Sequence, residues 1–282
     1  MGGMTRVGRS RLKKLLLPLL PSHQILELEP GFSMELDLSK TNHEFLFWFY
    51  EEHESSLQWA IQNLLPKGGT FVDCGANLGL MGLLAIHRQQ ARTLFIEPHP
   101  RLVQTILKNI EINGFASEKV RVMEAAASNQ DGTASLQIDS ISDGGHSLGS
   151  AGRNDSLEVK TVRLETLFGQ FSIDHVDFLK IDAEGHDFQV LEGLGAFLEP
   201  QKIGMVYIEM GGDFQVSWKL LTDRGYRAFA AETIYIDRLR KLQGMRDCSQ
   251  YFLPAEPSDD GNLFWCAPGS GCERFLLNVA GF

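Results

Sequence analysis

The fold of this chain is decided by one stretch of ten residues, Phe71-Val72-Asp73-Cys74-Gly75-Ala76-Asn77-Leu78-Gly79-Leu80. A short apolar run comes first, as in a buried parallel strand. Two glycines then allow the backbone to turn tightly and to approach a ligand closely. Leu80, Leu83 and Leu84 have the spacing of the inner face of a helix. The stretch therefore predicts a strand, a glycine turn and a helix whose N-terminus can receive an anion.

The glycine spacing and the acid at the strand end favour a particular cofactor. A dinucleotide-binding turn has three glycines spaced as G-x-G-x-x-G, whereas this turn has only Gly75 and Gly79. S-adenosylmethionine carries an ammonium, a sulfonium and a carboxylate, and Asp73 suits the ammonium because opposite charges attract. The turn suits the carboxylate, with Gly75, Ala76, Asn77 and Gly79 as the predicted cofactor contacts. An ordinary strand–turn–helix connection is the alternative interpretation.

A second acid, Glu97, ends the next predicted strand, Arg92 to Glu97. It lies 24 residues after Asp73, close to the spacing of about 20 residues at which an acid meets a ribose diol. A carboxylate can accept hydrogen bonds from both ribose hydroxyls. We therefore predict that Glu97 and the following Pro98 bind the cofactor, with a solvated strand-end carboxylate as the alternative.

Further acids follow two later predicted strands. Val176 to Ile181 precedes Asp182 and Glu184, and Ile203 to Glu209 ends in an acid. In doubly wound sheets, ligands bind outside the carboxyl ends of the strands. Acids are rarely buried without a partner, so acids gathered at this edge indicate a site rather than core packing.

These pieces together resemble the FkbM family of S-adenosylmethionine-dependent methyltransferases. The matching segments are Phe71 to Gly79, Ile96-Glu97-Pro98, Ala125-Ala126 to Gly132, and Phe178-Leu179-Lys180-Ile181-Asp182-Ala183-Glu184-Gly185. The resemblance covers Leu57 to Glu209 and implies an α/β fold of the Rossmann-like class I methyltransferase type. It implies a mostly parallel seven-stranded sheet with helices on both faces, and Ala126 and Asp182 as further cofactor contacts. It also implies O-methylation of a hydroxyl on a small molecule, a sugar or another natural product.

Methylation of an aliphatic hydroxyl calls for a base, because the hydroxyl is a poor nucleophile. Asp182 is the first candidate, since it ends the strand nearest the expected transfer site, and His186 and Glu209 are alternatives. Lys180 either orients Asp182 or simply pairs with it. In a second mechanism, Asp182, Glu184 and Glu209 hold Mg²⁺ beside the acceptor, because Mg²⁺ prefers oxygen ligands.

The bulk composition limits the kinds of substrate and partner expected for this chain. The formal net charge is −10, which argues against binding along a phosphate backbone. A methyltransferase acting on protein or nucleic acid is the alternative, but the chain lacks an Asn-Pro-Pro-Tyr motif and a basic stretch suited to a groove. A binding module that holds S-adenosylmethionine without turnover is a third interpretation. We expect a small-molecule or glycan acceptor and make no prediction of oligomeric state.

The remaining segments predict the organisation around this core. Residues 1–53 form an extension with a basic arm and a hairpin around Pro30-Gly31, and residues 54–282 form the methyltransferase domain. Ser55-Ser56-Leu57-Gln58 has capping-box spacing. Residues 140–156 form a surface loop or a lid, 238–260 an insertion, and 262–266 a final antiparallel edge strand. The four cysteines have no metal spacing, so we expect reduced thiols in a cytoplasmic protein without stable membrane insertion.

Overall fold

The computed structural model describes residues 16–138, 146–148, 156–210, 214–231, 252–255 and 261–280. Predictions for the basic arm, for most of the 140–156 loop and for most of the 238–260 insertion lie outside these residues. Within the described part, no helix is both long enough and apolar enough to cross a membrane.

The N-terminal segment contains the predicted hairpin. Strands β1 (His23–Glu29) and β2 (Phe32–Asp37) pair antiparallel, and Gly31 turns between them with a φ of +75°. Helices α1 (Thr41–Phe49) and α2 (Ser55–Asn63) follow. Alternate residues of β2 are buried in the same core as helix α2, so the hairpin packs onto the rest of the molecule. The division into domains at residue 54 stays a prediction.

The main sheet confirms the predicted α/β class. Its strands are β3 (Thr70–Cys74), β4 (Arg92–Glu97), β5 (Val120–Glu124), β10 (Phe178–Ile181), β11 (Met205–Met210), β12 (Arg227–Ala231), β13 (Phe252–Pro254) and β14 (Gly261–Cys266). The order is β13-β12-β14-β11-β10-β3-β4-β5, and the five strands from β11 to β5 are parallel. The strand order reverses between β3 and β10, which is where doubly wound sheets form their ligand crevice.

Two details of this sheet differ from the prediction. Strand β14 is antiparallel as expected, but it lies between β11 and β12 rather than at the edge. The three-residue strand β13 pairs with the outer side of β12 and adds an eighth strand to the predicted seven. The hydrophobic pattern explains the first difference, because the middle residues of β14 are fully buried, as an internal strand requires.

A second, four-stranded sheet follows β5. It contains β6 (Ala126–Ala127), β7 (Gly132–Gln137), β8 (Ser147–Leu148) and β9 (Ser156–Val162), in the order β6-β9-β7-β8. The predicted strands at 133–138 and 157–162 are thereby confirmed, with boundaries shifted by one residue. This sheet carries the chain from β5 toward β10 and places Ala126 and Ala127 close to the end of β4.

Helices cover both faces of the main sheet. They are α3 (Leu80–Gln89), α4 (Pro100–Ile112), α5 (Leu164–Phe171), α6 (Asp187–Gly193), α7 (Phe214–Asp223) and α8 (Gly271–Ala280). One apolar core contains residues of α2, α3, α4 and α8, and a second contains residues of α5, α6 and α7. Alternate residues of the strands contribute to each core, as expected for a sheet buried on both faces.

The prediction that all four cysteines are reduced is wrong for two of them. Cys266, at the end of β14, and Cys272, at the start of α8, form a disulfide, with their Cα atoms 6.0 Å apart. Their six-residue separation carries no sequence signal, and it is the packing of α8 beside the sheet that brings them together. Cys74 is free and buried in β3, as predicted.

Candidate active site

Two neighbouring cavities open at the carboxyl edge of the sheet. The first encloses about 620 Å³ of empty space, including its open mouth, and the second about 740 Å³. The first is lined by these predicted cofactor contacts: Gly75, Asn77, Glu97, Pro98, Ala126 and Asp182. The second is lined by Ala76 and by residues of the N-terminal segment. Both cavities share Gly75, Asn77, Asp182 and Glu184, so they meet at the strand-order reversal.

Gly75 is the residue that allows β3 and β10 to meet so closely. Its φ is +69°, and a Cβ at this position would lie 1.9 Å from the carbonyl oxygen of Asp182. The amide groups of Gly75 and Ala76 both donate to the carbonyl oxygen of Ile96, at 3.0 and 3.1 Å. The turn is therefore fixed between the ends of β4 and β10. Gly79, with a φ of +79°, begins helix α3 and lines neither cavity.

Glu97 lies in the first cavity with its carboxylate held by the backbone. Its Oε2 accepts a hydrogen bond from the amide of Asn77 at 2.8 Å, and its Oε1 accepts one from the amide of His99 at 2.9 Å. The side chain is buried, and burial raises the pKa of Glu97 to about 7, although the two amide hydrogen bonds act in the opposite direction. Each oxygen keeps a second lone pair, which fits the predicted recognition of a ribose diol.

Asp73 is placed differently from Glu97, although both acids end strands. Its Oδ2 accepts a hydrogen bond from the amide of Gly82 at 2.9 Å, and its Oδ1 lies 3.3 Å from Nζ of Lys180. The side chain is 1% exposed and lines neither cavity. Its charge therefore acts on helix α3 and on Lys180, and the direct contact with a cofactor ammonium that the sequence predicts stays a prediction.

Lys180 joins the ends of β3 and β10. Its Nζ lies 3.0 Å from the carbonyl oxygen of Gly75, 3.1 Å from Oδ2 of Asp182 and 3.3 Å from Oδ1 of Asp73. Burial lowers the pKa of Lys180, but the charges of Asp182, Asp73 and Glu54 outweigh this effect and hold the pKa well above its usual value. Lys180 thus stays charged at neutral pH and fixes the carboxylate of Asp182, which is 28% exposed at the junction of the cavities.

His186 lines the first cavity together with Asp182. Its Nε2 is 2.9 Å from Oγ of Ser128, a buried residue that the sequence prediction missed. Burial lowers the pKa of His186, although the charge of Asp187 acts in the opposite direction, so the imidazole is neutral at pH 7. Ser128 follows strand β6, and its only sequence signal was its position after Ala126-Ala127.

The two remaining predicted acids are Glu184 and Glu209. Glu184 lines both cavities and adopts a left-handed backbone conformation, with a φ of +49°. The backbone of Glu209 pairs with Asn262 in the sheet, but its side chain lies outside the described part of the structure. Among the described residues, no group of three or more histidine, cysteine or acidic side chains is arranged to hold a metal ion.

The N-terminal segment supplies site residues that sequence reasoning missed. Asn42 and Leu46 from α1, together with His53 and Glu54, line the second cavity. Three acids, Glu51, Glu52 and Glu54, precede the predicted helix, and no spacing among them marks one as functional, so no sequence signal pointed to Glu54. The first cavity also contains His146, whose ring stacks on that of His99 with centroids 4.8 Å apart.

Comparisons with known proteins agree with this geometry. The model of the FkbM methyltransferase domain matches residues 73–228. Methyltransferase sdnD from Sordaria araneosa is 24% identical over 188 residues, which span 56% of this chain and 71% of that protein.

Two methyltransferases are among the solved structures to which this chain is similar. A SAM-dependent methyltransferase from Agrobacterium tumefaciens has 13% identity and a TM-score of 0.44, with 88% of this chain and 71% of that chain covered. Precorrin-6y C5,15-methyltransferase from Geobacter metallireducens has 11% identity and a TM-score of 0.40, with 75% and 85% covered.

Proposed function

Because this chain belongs to the FkbM family of S-adenosylmethionine-dependent methyltransferases, we propose that it methylates a hydroxyl group of a small molecule, a sugar or another natural product. The observation that carries this proposal is the position of Asp182. Its carboxylate lies where the two cavities meet, and Lys180 holds it at 3.1 Å. A base at such a junction can reach an acceptor in one cavity while the cofactor extends across both.

The residues present fit the cofactor. Glu97 presents a fixed carboxylate in the first cavity for the ribose hydroxyls, with Pro98 and Ala126 beside it. Asn77 and Ala76 precede the N-terminus of α3, where the helix dipole favours a carboxylate. When bound, S-adenosylmethionine supplies a methyl group that its sulfonium has already activated.

In this proposal Asp182 would accept the proton of the acceptor hydroxyl, bound S-adenosylmethionine would supply the methyl group to the hydroxyl oxygen, and S-adenosylhomocysteine would be the leaving group. Lys180 positions the carboxylate through their ion pair. General bases contribute about 10²–10⁴-fold to such reactions. His186 is a second candidate base, because its imidazole is neutral and lines the first cavity, and Glu209 is a third.

The charge of the site supports a small hydroxyl acceptor. Glu97, Asp182 and Glu184 line the cavities, and Lys180 is already paired with carboxylates. An acidic cleft repels the phosphates of a nucleic acid. Action on a protein and binding without turnover stay alternative functions, and a Mg²⁺-assisted reaction stays an alternative mechanism. A cytoplasmic location stays a prediction from the sequence.

A panel of hydroxyl acceptors tests the proposal. The protein is incubated with S-adenosylmethionine carrying an isotope-labelled methyl group and with sugars, polyols, phenols and hydroxylated polyketides, and the products are analysed by mass spectrometry. We expect label in a methyl ether. Label that appears only on protein or oligonucleotide substrates, or on nitrogen or carbon, would contradict the assignment. Turnover that is lost after exhaustive chelation and restored by Mg²⁺ would favour the metal-assisted mechanism.

A further inference from the structure

Glu54 is a carboxylate of the second cavity that the proposed reaction does not use. It precedes helix α2 and has a φ of +43° and a ψ of +46°, in the left-handed region. For a residue other than glycine this conformation is strained and persists only where its surroundings enforce it. Such strain is concentrated at functional sites, so the surroundings of Glu54 are informative.

A buried glutamine enforces this conformation. The sequence has capping-box spacing at Ser55 to Gln58, but the N-cap of α2 is Glu54, which makes no side-chain cap hydrogen bond. Nε2 of Gln58 instead donates to the carbonyl oxygens of His53 at 2.7 Å and Tyr50 at 3.0 Å. Arg88 of helix α3 donates in turn to the carbonyl oxygen and to Oε1 of Gln58, at 2.9 and 3.1 Å. This network fixes the chain just before Glu54 against the methyltransferase core.

The carboxylate of Glu54 has an unused acceptor. Its Oε2 is buried and has no hydrogen-bond partner, while the side chain as a whole is 28% exposed and lines the second cavity. Oε1 of Glu54 lies 3.8 Å from Nε2 of His53. Burial lowers the pKa of His53 to about 4, so the imidazole brings no positive charge at neutral pH. A buried acceptor of this kind normally has a donor.

The charges around the second cavity do not balance. Glu54, Asp73 and Asp182 all act on one ammonium, that of Lys180. When all four groups are ionised, the cluster carries an excess of two negative charges. A ligand that brings a cation would restore the balance, and would gain more here than at an exposed surface because the groups are shielded from water.

The proposed position of the ribose indicates which cationic group of the ligand would lie beside Glu54. If the ribose binds Glu97 in the first cavity, the amino-acid end of the cofactor would reach the second cavity past the shared residues Gly75 and Asn77. The N-terminus of α3 would then receive its carboxylate, and Glu54 lines the same cavity. We propose that Glu54 binds the ammonium group of the methionine portion of S-adenosylmethionine through Oε2. This inference rests on the cofactor position in the proposed function, and it gives Glu54 the role that the sequence predicts for Asp73.

A pH dependence follows from the same surroundings. Burial raises the pKa of Glu54 to about 7, the charge of Lys180 lowers it, and those of Asp182 and Asp73 raise it further. Below pH 7 the carboxyl is therefore protonated and offers no charge to an ammonium. Affinity for a cofactor that carries the ammonium should rise as the pH increases through 7.

Three ligands separate this contact from general effects on the pocket. S-adenosylhomocysteine carries both the ammonium and the carboxylate, decarboxylated S-adenosylhomocysteine carries only the ammonium, and methylthioadenosine carries neither, while all three are thioethers without a sulfonium charge. In calorimetric titrations, we expect Glu54→Gln to weaken binding of the first two by about tenfold or more, as for one hydrogen bond between charged groups. Binding of methylthioadenosine should change less than about twofold. Glu51→Gln makes the same chemical change at an exposed position nearby and should leave all three affinities unchanged.

Each outcome has a distinct meaning. Unchanged affinity of Glu54→Gln for S-adenosylhomocysteine would overturn the inference, and so would an equal loss for methylthioadenosine, since that loss would show a general disturbance of the site. The wild-type preference for S-adenosylhomocysteine at about pH 8 over about pH 6 should shrink in Glu54→Gln. Wild-type protein that binds none of the ligands would contradict the cofactor position itself. Failure of every hydroxyl acceptor would leave these titrations unaffected, so the two proposals fail separately.

Discussion

Replacement of Gly75 by alanine tests how the two halves of the sheet form the site. The added Cβ would lie 1.9 Å from the carbonyl oxygen of Asp182, whereas real Cβ contacts are essentially never under 3.0 Å. The chain after β10 would have to move by more than 1 Å. Its room to move is limited, because the amide of Asp182 donates to the carbonyl oxygen of Cys74 at 3.2 Å.

Two costs combine in Gly75→Ala. A left-handed conformation costs an alanine about 1–2 kcal/mol, and overpacking of a buried contact costs about 1–3 kcal/mol. We therefore expect the free energy of unfolding to fall by about 2–5 kcal/mol in urea denaturation. Gly185→Ala is the matched control, because Gly185 has a φ of +86° but no atom within 4 Å of the position that an added Cβ would take, so only the conformational cost applies.

The difference in stability between Gly75→Ala and Gly185→Ala tests whether the glycine turn lies against Asp182. Equal losses of stability in Gly75→Ala and Gly185→Ala would refute the close approach of the turn to Asp182. We also expect folded Gly75→Ala to bind S-adenosylhomocysteine more weakly than wild type, because the displaced Asp182 lines both cavities. Wild-type affinity in that variant would show that the turn does not shape the cofactor site.

Three further predictions concern the buried charges. Lys180→Met should lower the free energy of unfolding by about 3–5 kcal/mol at pH 8, because Asp73 and Asp182 lose the cation that pairs with them. The loss should be smaller at pH 5, because burial raises the pKa of Asp73 and its carboxylate takes up a proton more readily at that pH. Equal losses at both pH values in urea denaturation would contradict this prediction. Glu97→Gln should lower the free energy of unfolding by about 1–3 kcal/mol, because the single acceptor oxygen of glutamine cannot accept from both the Asn77 and the His99 amide. The same variant should bind S-adenosylhomocysteine more weakly in calorimetry, and wild-type affinity would show that Glu97 does not bind the ribose. The contribution of Glu54 and Glu97 to the free energy of unfolding should decrease as the pH rises from about 4.5 to about 7 and be constant above pH 7, because their carboxyls ionise near pH 4.5 in the unfolded chain and near pH 7 in the folded protein. The difference in free energy of unfolding between wild type and Glu54→Gln isolates the contribution of Glu54. A difference that does not vary with pH would contradict the pKa of about 7 assigned to Glu54.

The sequence was informative where a local pattern carried the information. Apolar runs ending in an acid or a glycine predicted β3, β4, β10 and β11, because strands buried on both faces are apolar throughout. The place of β14 inside the sheet was not predictable in the same way, because strand order depends on contacts between distant segments. The same reason explains the disulfide, whose cysteines meet only when α8 packs beside the sheet.

The site was predicted in part for the same physical reason. Glu97 and Asp182 lie at strand ends and line the cavities as expected. Asp73 also lies at a strand end, but its carboxylate is buried against Lys180 and helix α3, and strand position alone does not distinguish these outcomes. Glu54 reaches the site from a different segment through a strained turn, which no spacing in the sequence records.

The role of Asp182 is tested by the single-turnover rate of methyl transfer in wild type and in Asp182→Asn, with the same hydroxyl acceptor from the panel. We predict a decrease of about 10²–10⁴-fold in the variant, because the neutral amide cannot accept the hydroxyl proton. Affinity for S-adenosylhomocysteine should change far less, which would show that the cofactor site is intact. A rate within about threefold of wild type would contradict the central claim that Asp182 is the base, and a large decrease in His186→Asn instead would transfer the role to His186.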